Sequence, residues 1–185
     1  MAFSINPGIW PVMITPWTED NKPDYKAIKG LVDWYVEKGC AGIFAMCQSS
    51  EMAFLTPQEK LDIAKATADA VDGRIQVVAS GHTADDKATQ FKEIEDMMQI
   101  KGIGAYVLVS NRLDQKNEGE AVFEANAQEI FDRYPEIDFG IYECPMPWKR
   151  LVSTEFLRHA GEEGRMVFLK DTCCDAAVIA EKLAA

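Results

Sequence analysis

Short apolar runs alternate along this chain with longer segments of helical period. The runs are rich in β-branched and aromatic residues and cover positions 8–15, 42–46, 75–79, 104–109, 139–142 and 166–169. Amphipathic segments fill the intervals at 24–38, 57–71, 84–100, 118–134 and 154–160, and another starts near residue 175. A strand-length run followed by a helix-length segment, repeated in this way, predicts an α/β fold on a parallel sheet. Local signals agree. Thr56-Pro57-Gln58-Glu59 reads as a capping box, with Thr56 as N-cap, Pro57 in the first helical position and Glu59 closing the box. Thr83-Ala84-Asp85-Asp86 predicts a second helix start capped by Thr83. Gly39, Gly73 and Gly102 fall where helices must stop before the next strand. No linker, low-complexity tract or composition break divides the sequence, which predicts a single domain over residues 1–185.

Two architectures suit repeated βα units, an open doubly wound sheet and a (β/α) barrel. The open sheet usually carries a glycine-rich phosphate loop after its first strand. Here the first run ends in Thr15-Pro16-Trp17, and Gly102-Ile103-Gly104 precedes a run rather than following one. The barrel is the better expectation. Barrel chemistry sits at the C-terminal ends of the strands. Those ends carry Thr15, Cys47 to Glu51, Ser80 to Thr83, Ser110 to Arg112, Tyr142 to Cys144, and Lys170 to Cys174.

Composition narrows the function classes. A formal net charge of −11 argues against nucleic acid or an anionic membrane as partner, and says little about small molecules. The five cysteines are odd in number and include no Cys-x-x-Cys pair, which predicts a reduced, cytoplasmic protein. The first ten residues lack the basic and apolar regions of a signal peptide, and no run approaches the ~18 apolar residues of a spanning helix.

The candidate chemistry centres on Val167-Phe168-Leu169-Lys170-Asp171-Thr172, where an apolar run delivers one lysine to a strand end. Apolar surroundings that desolvate an amine favour its neutral, nucleophilic form, the requirement for a Schiff-base lysine. The alternative is an ammonium that snorkels to solvent on its apolar stem.

Four motifs recur in one family's order and spacing: Thr15-Pro16-Trp17, Gln48-Ser49-Ser50-Glu51, Tyr142-Glu143-Cys144-Pro145 and Leu169-Lys170-Asp171. With Leu55-Thr56-Pro57-Gln58-Glu59 between them, the chain resembles the dihydrodipicolinate synthase / N-acetylneuraminate lyase family of class I aldolases from about Gly8 onward. The resemblance implies a (β/α)8 barrel and a lyase acting on pyruvate or another 2-oxo acid, with no cofactor or metal. It implies that Lys170 forms the Schiff base and that Tyr142 moves protons beside it. It also implies that the loop bearing Ser49 and Ser50 binds the substrate carboxylate through a hydroxyl and backbone N–H groups. Glu51 is read as a structural partner of that loop, and His82 and His159 carry no role. A homo-oligomer is implied for the full-length form.

The departures from the family pattern are specific. Gln48 stands where the synthase has a relay threonine, and an amide cannot pass a proton as a hydroxyl does. Arg112 stands at the position of a tyrosine that reaches a neighbouring subunit, and there it would bind an anionic group of the second substrate. The position of the arginine for the second substrate's carboxylate falls on Pro147, with Lys149 and Arg150 as nearby substitutes. These changes imply a divergent aldolase or dehydratase rather than a lysine-pathway enzyme. A closed barrel needs roughly 250 residues, so only about the first six βα units are expected here, without the last two units and the C-terminal helices. Two readings from other classes remain. One is a non-catalytic family member used for binding or assembly. The other is a soft-metal site built from Cys47, Cys144, Cys173 and Cys174, although their spacing matches no metal motif.

Overall fold

The computed structural model describes residues 3–185. Five parallel strands form one sheet in sequence order: β1 (Gly42–Ala45), β2 (Gln76–Ala79), β3 (Ala105–Val109), β4 (Phe139–Tyr142) and β5 (Met166–Lys170). Helices α1 (Tyr25–Glu37), α2 (Pro57–Val71), α3 (Lys87–Met98), α4 (Glu120–Arg133), α5 (Thr154–Glu162) and α6 (Ala176–Ala184) alternate with the strands, and 3₁₀ turns Gln48–Ser50 and Ser110–Arg112 follow β1 and β3. Strands β1, β3 and β4 are buried along their whole length. That is why their sequences are continuously apolar rather than alternating.

The sheet curls. β1 and β5 are its two ends, yet the Phe44 ring of β1 lies 5.6 Å from Phe168 of β5 and 5.8 Å from Tyr142 of β4. Residues on non-adjacent strands meet this way only across a concave interior. Trp10 reaches the same place, 5.7 Å from Phe168. The arrangement is part of a barrel wall, with an aromatic cluster filling the hollow. No helix among the described residues is long and apolar enough to cross a membrane.

Two sequence expectations are corrected. The run at 8–15 is not a regular strand. It lies along β1 through one bridge, Val12 opposite Phe44, with Phe44 N donating to Pro11 O and Met13 N to Phe44 O, both at 2.9 Å. A second bridge at Trp10 would need an N–H from Pro11, and proline has none. The predicted helix start at Thr83 moves three residues on. Asp86 caps α3 by accepting from Thr89 N at 2.9 Å. Thr83 is drawn instead into a buried polar knot: its hydroxyl donates to Glu93 Oε1 at 2.9 Å and accepts from Lys60 Nζ at 2.7 Å. The Thr56 capping box forms as expected, and Gly39 and Gly73 end their helices with φ of +74° and +71°.

The pairing of β4 with β5 places the site. Phe139 pairs with Met166, but Gly140 pairs with Phe168, so Val167 is the extra residue of a bulge. Beyond it the register sets Tyr142 opposite Lys170. Gly140 permits this approach, because a Cβ there would sit 2.9 Å from both the Phe168 carbonyl oxygen and its Cβ. The backbone oxygen cannot rotate away, so Gly140→Ala is expected to cost about 1–3 kcal/mol, read as a lowered midpoint in chemical denaturation. An unchanged midpoint contradicts this packing.

Candidate active site

The strand tips bring three of the expected residues together. Lys170 Nζ stands 4.2 Å from the centroid of the Tyr142 ring, within cation–π range. The Tyr142 hydroxyl donates to Gln48 Oε1 at 3.1 Å, and the Cys144 thiol lies 3.6 Å from the same oxygen. Tyr142 is 4% exposed, with Phe44 packed edge-on against its ring. Burial, and then the neighbouring Cys144, push its phenol well above the ordinary tyrosine value. At neutral pH it is therefore a protonated donor. Its proton is held by an amide oxygen contributed by the turn after β1.

The remaining expected residues divide between shaping the turn after β1 and lining an adjoining cavity. Ser50 is fully buried and its hydroxyl is engaged, donating to Met13 O at 2.6 Å and accepting from Cys47 N at 3.1 Å. Thr15 ties the same turn by donating to Ser50 O at 2.8 Å. Ser50 thus shapes the loop, and Ser49, exposed beside it, is the serine open to a ligand. Glu51 accepts from Trp17 Nε1 at 3.2 Å, a structural contact of the loop. Arg112 pairs with Asp85 and lines a cavity of about 110 Å³ together with Gln48, Thr83, Cys144 and Met146. Lys149 and Arg150, the nearby cations, are both engaged by other groups. Lys149 donates to Thr172 O at 2.7 Å, while Arg150 is held by Asp114 at 3.3 Å and Glu120 at 2.9 Å.

Sequence reasoning missed a charged cluster next to this group. Glu143 is fully buried and accepts from Val152 N at 2.8 Å, Thr172 N at 2.9 Å and Lys182 Nζ. Lys182 also reaches Asp171 Oδ2 at 2.6 Å. Burial works against the Asp171 carboxylate, but hydrogen bonds from Lys182 and Cys173 outweigh it and bring its pKa down to about 2. Burial likewise opposes the Lys182 ammonium, and Asp171 and Glu143 overcome it and raise its pKa. The signal available beforehand was a carboxylate continuing an apolar run, since a buried charge requires a partner. Asn111 was also missed. Its Nδ2 lies within 3.0 Å of the carbonyl oxygens of Cys144, Met146 and Trp148, fixing the loop after β4.

With this geometry in hand, comparison with known proteins is informative. The model of the dihydrodipicolinate synthetase family matches residues 6–111, more than half of the chain. Among the similar curated proteins is the 4-hydroxy-tetrahydrodipicolinate synthase of Methanococcus maripaludis, 30% identical over 97 residues, which are 52% of this chain and 33% of that protein. Among solved structures, a prophage protein of the dihydrodipicolinic acid synthase family from E. coli K12, in complex with pyruvate, superposes with a TM-score of 0.83. It is 19% identical and is covered over 95% of this chain and 58% of its own. A catalytic lysine mutant of Ruminococcus gnavus sialic acid aldolase gives a TM-score of 0.80 at 15% identity, over 96% of this chain and 57% of its own. The chain thus spans between about a third and six tenths of the length of these proteins.

His82 lies at the tip of β2 on the wall of the Arg112 cavity. It is fully buried and accepts from Val109 N through Nδ1 at 3.0 Å, which leaves Nε2 as the protonated nitrogen of the neutral ring. Burial brings its pKa down from 6.5 to about 4. The folded state therefore takes up this proton later than the unfolded state as pH falls. Its contribution is complete above pH 6.5 and is lost between 6.5 and about 4. The loss amounts to roughly 3 kcal/mol on a scale of 1.36 kcal/mol per pKa unit. In denaturant titrations across that range, His82→Gln keeps an acceptor for Val109 N and is expected to flatten the acid slope. A slope identical to wild type contradicts the assignment.

Proposed function

The chain belongs to the dihydrodipicolinate synthetase family, and from that premise we propose that Lys170 forms a Schiff base with pyruvate or another 2-oxo acid, opening a lyase reaction of aldolase or dehydratase type. The observation that carries this reading is the placement of the Lys170 amine over Tyr142, whose hydroxyl is bound to Gln48. Both residues lie beyond the stretch matched by the family model. Their roles therefore rest on this geometry and on the motifs around them. Two structural neighbours support the reading by analogy, one described with pyruvate and one by its catalytic lysine.

The neutral amine of Lys170 adds to the keto carbon and gives a carbinolamine. Departure of water needs a proton, and the protonated phenol of Tyr142, whose ring lies under the amine, is the group that supplies it. The resulting cationic imine is an electron sink, so the adjacent carbon can lose a proton or release a bonded carbon or oxygen group. The Ser49 hydroxyl and the backbone N–H groups of its turn hold the carboxylate and keep the keto carbon within reach of the amine. Gln48 orients Tyr142 but cannot relay its proton, so the phenol exchanges protons with substrate or water rather than along a hydroxyl chain. Arg112 gives the adjoining cavity a cation suited to an anionic group on the second substrate. This makes the reaction a relative of dihydrodipicolinate synthesis with a different second partner. The substrate is a small molecule, and the reading takes the full-length protein as a cytoplasmic homo-oligomer.

Incubation with pyruvate followed by borohydride is expected to leave one adduct, on Lys170, located by peptide mass spectrometry. Lys170→Ala removes it, and Tyr142→Phe slows its formation by about 10²-fold, the lower range for a lost general acid. A folded sample that traps none of several 2-oxo acids rules the Schiff base out.

A further inference from the structure

Tyr142 and Lys170 are each followed in sequence by a carboxylate: Glu143 after Tyr142, and Asp171 after Lys170. One ammonium spans both. Lys182, in the last turn of α6, has a side chain only 4% exposed and contacts Glu143 and Asp171 together. The network ties the two strand tips to each other. Glu143 N donates to Lys170 O at 3.1 Å, Thr172 N donates to Glu143 Oε2 at 2.9 Å, and the Thr172 hydroxyl donates to Glu143 O at 2.7 Å.

α6 has little else to hold it. None of its residues is buried as a whole, Ile179 is 37% exposed and Leu183 is 84% exposed. A surface ion pair would add little, but here Glu143 is 0% exposed, and removing its partner leaves an uncompensated buried charge. Glu143 must then swing toward water, which weakens its bond to Thr172 N and loosens β5 from β4.

We propose that Lys182 is a positioning residue: by bridging Glu143 and Asp171 it locks the tips of β4 and β5 together and so fixes Lys170 over Tyr142. The consequence for chemistry rests on the Schiff-base reading, whereas the lock itself does not.

The test compares Lys182→Met, Asp171→Asn and Lys60→Met with wild type. Lys60 forms a similarly buried pair with Glu93, at 6% and 12% exposure, between α2 and α3. Its loss controls for stability alone. The first readout is amide exchange of Glu143 and Thr172 relative to Val107 in the core, measured without substrate. The second is the rate of pyruvate trapping at Lys170. Lys182→Met is expected to raise the exchange ratio and lower the trapping rate by at least about tenfold each, a lower bound for loss of one partner of a buried pair. Lys60→Met leaves both near wild type despite its lower stability. An unchanged ratio in Lys182→Met, or an equal rise in Lys60→Met, overturns the proposal. If Lys182→Met does not fold, Asp171→Asn decides, because it removes one arm and should move the ratio in the same direction. No change there also overturns it. A wild type that traps no pyruvate rejects the Schiff-base reading and leaves the exchange ratio to judge the lock by itself.

Discussion

β5 meets β4 with Tyr142 directly opposite Lys170, and the rest of the candidate site follows from that register. Side chains alternate along a strand, so a slip of one residue would send Lys170 to the helix side of the sheet. The bulge at Val167 is what brings the pair into line, and Gly140 is what lets the two backbones approach closely enough for it. The aromatic cluster of Phe44, Tyr142 and Phe168 then holds both strands against the opposite wall of the hollow. A lysine can stand over that apolar floor because the Tyr142 ring offers it a favourable face.

Charge around this group is divided by depth. On the concave side Lys170 faces the Tyr142 ring, and the Tyr142 hydroxyl in turn meets the Gln48 amide. Glu143, Asp171 and Lys182 form a separate knot that makes its own bonds to the Thr172 and Val152 backbone. This separation leaves the two carboxylates paired with Lys182 rather than with Lys170. It also couples α6, the last helix of the chain, to the geometry of the strand tips.

Much of the fold was legible because the repeated βα pattern is strong. Continuous apolar runs mark strands buried on both faces, and the Thr56 box and the stop glycines mark helix ends by local chemistry alone. Local reading failed where the deciding partner lies far along the chain. Pro11 breaks the ladder on β1 only because Gly42 O has no N–H to accept there, which requires knowing which strands adjoin. Thr83 looks like a helix cap until Lys60 and Glu93 claim its hydroxyl. The Ser50 hydroxyl looks like a substrate ligand until Met13 O accepts its hydrogen bond. Lys170 and Tyr142 could be named from their motifs, but the role of Gln48 as acceptor for Tyr142 spans 94 residues of sequence separation. The Glu143–Lys182 pair spans 39 and left no periodic trace.

The chain belongs to the dihydrodipicolinate synthetase family, and on the proposed reading Lys170 and Tyr142 carry the chemistry while the groups around them differ from the family pattern. Gln48, Arg112 and Pro147 alter what surrounds the proposed imine without displacing it. The most direct test is a crystal structure of the protein after reaction with pyruvate and borohydride. The account predicts continuous density from Lys170 Nζ to the former keto carbon, with the Tyr142 hydroxyl within hydrogen-bond reach, about 3.2 Å, of the new bond or the carboxylate. An adduct on another lysine, or a Tyr142 hydroxyl turned away from the bound carbon, would contradict it.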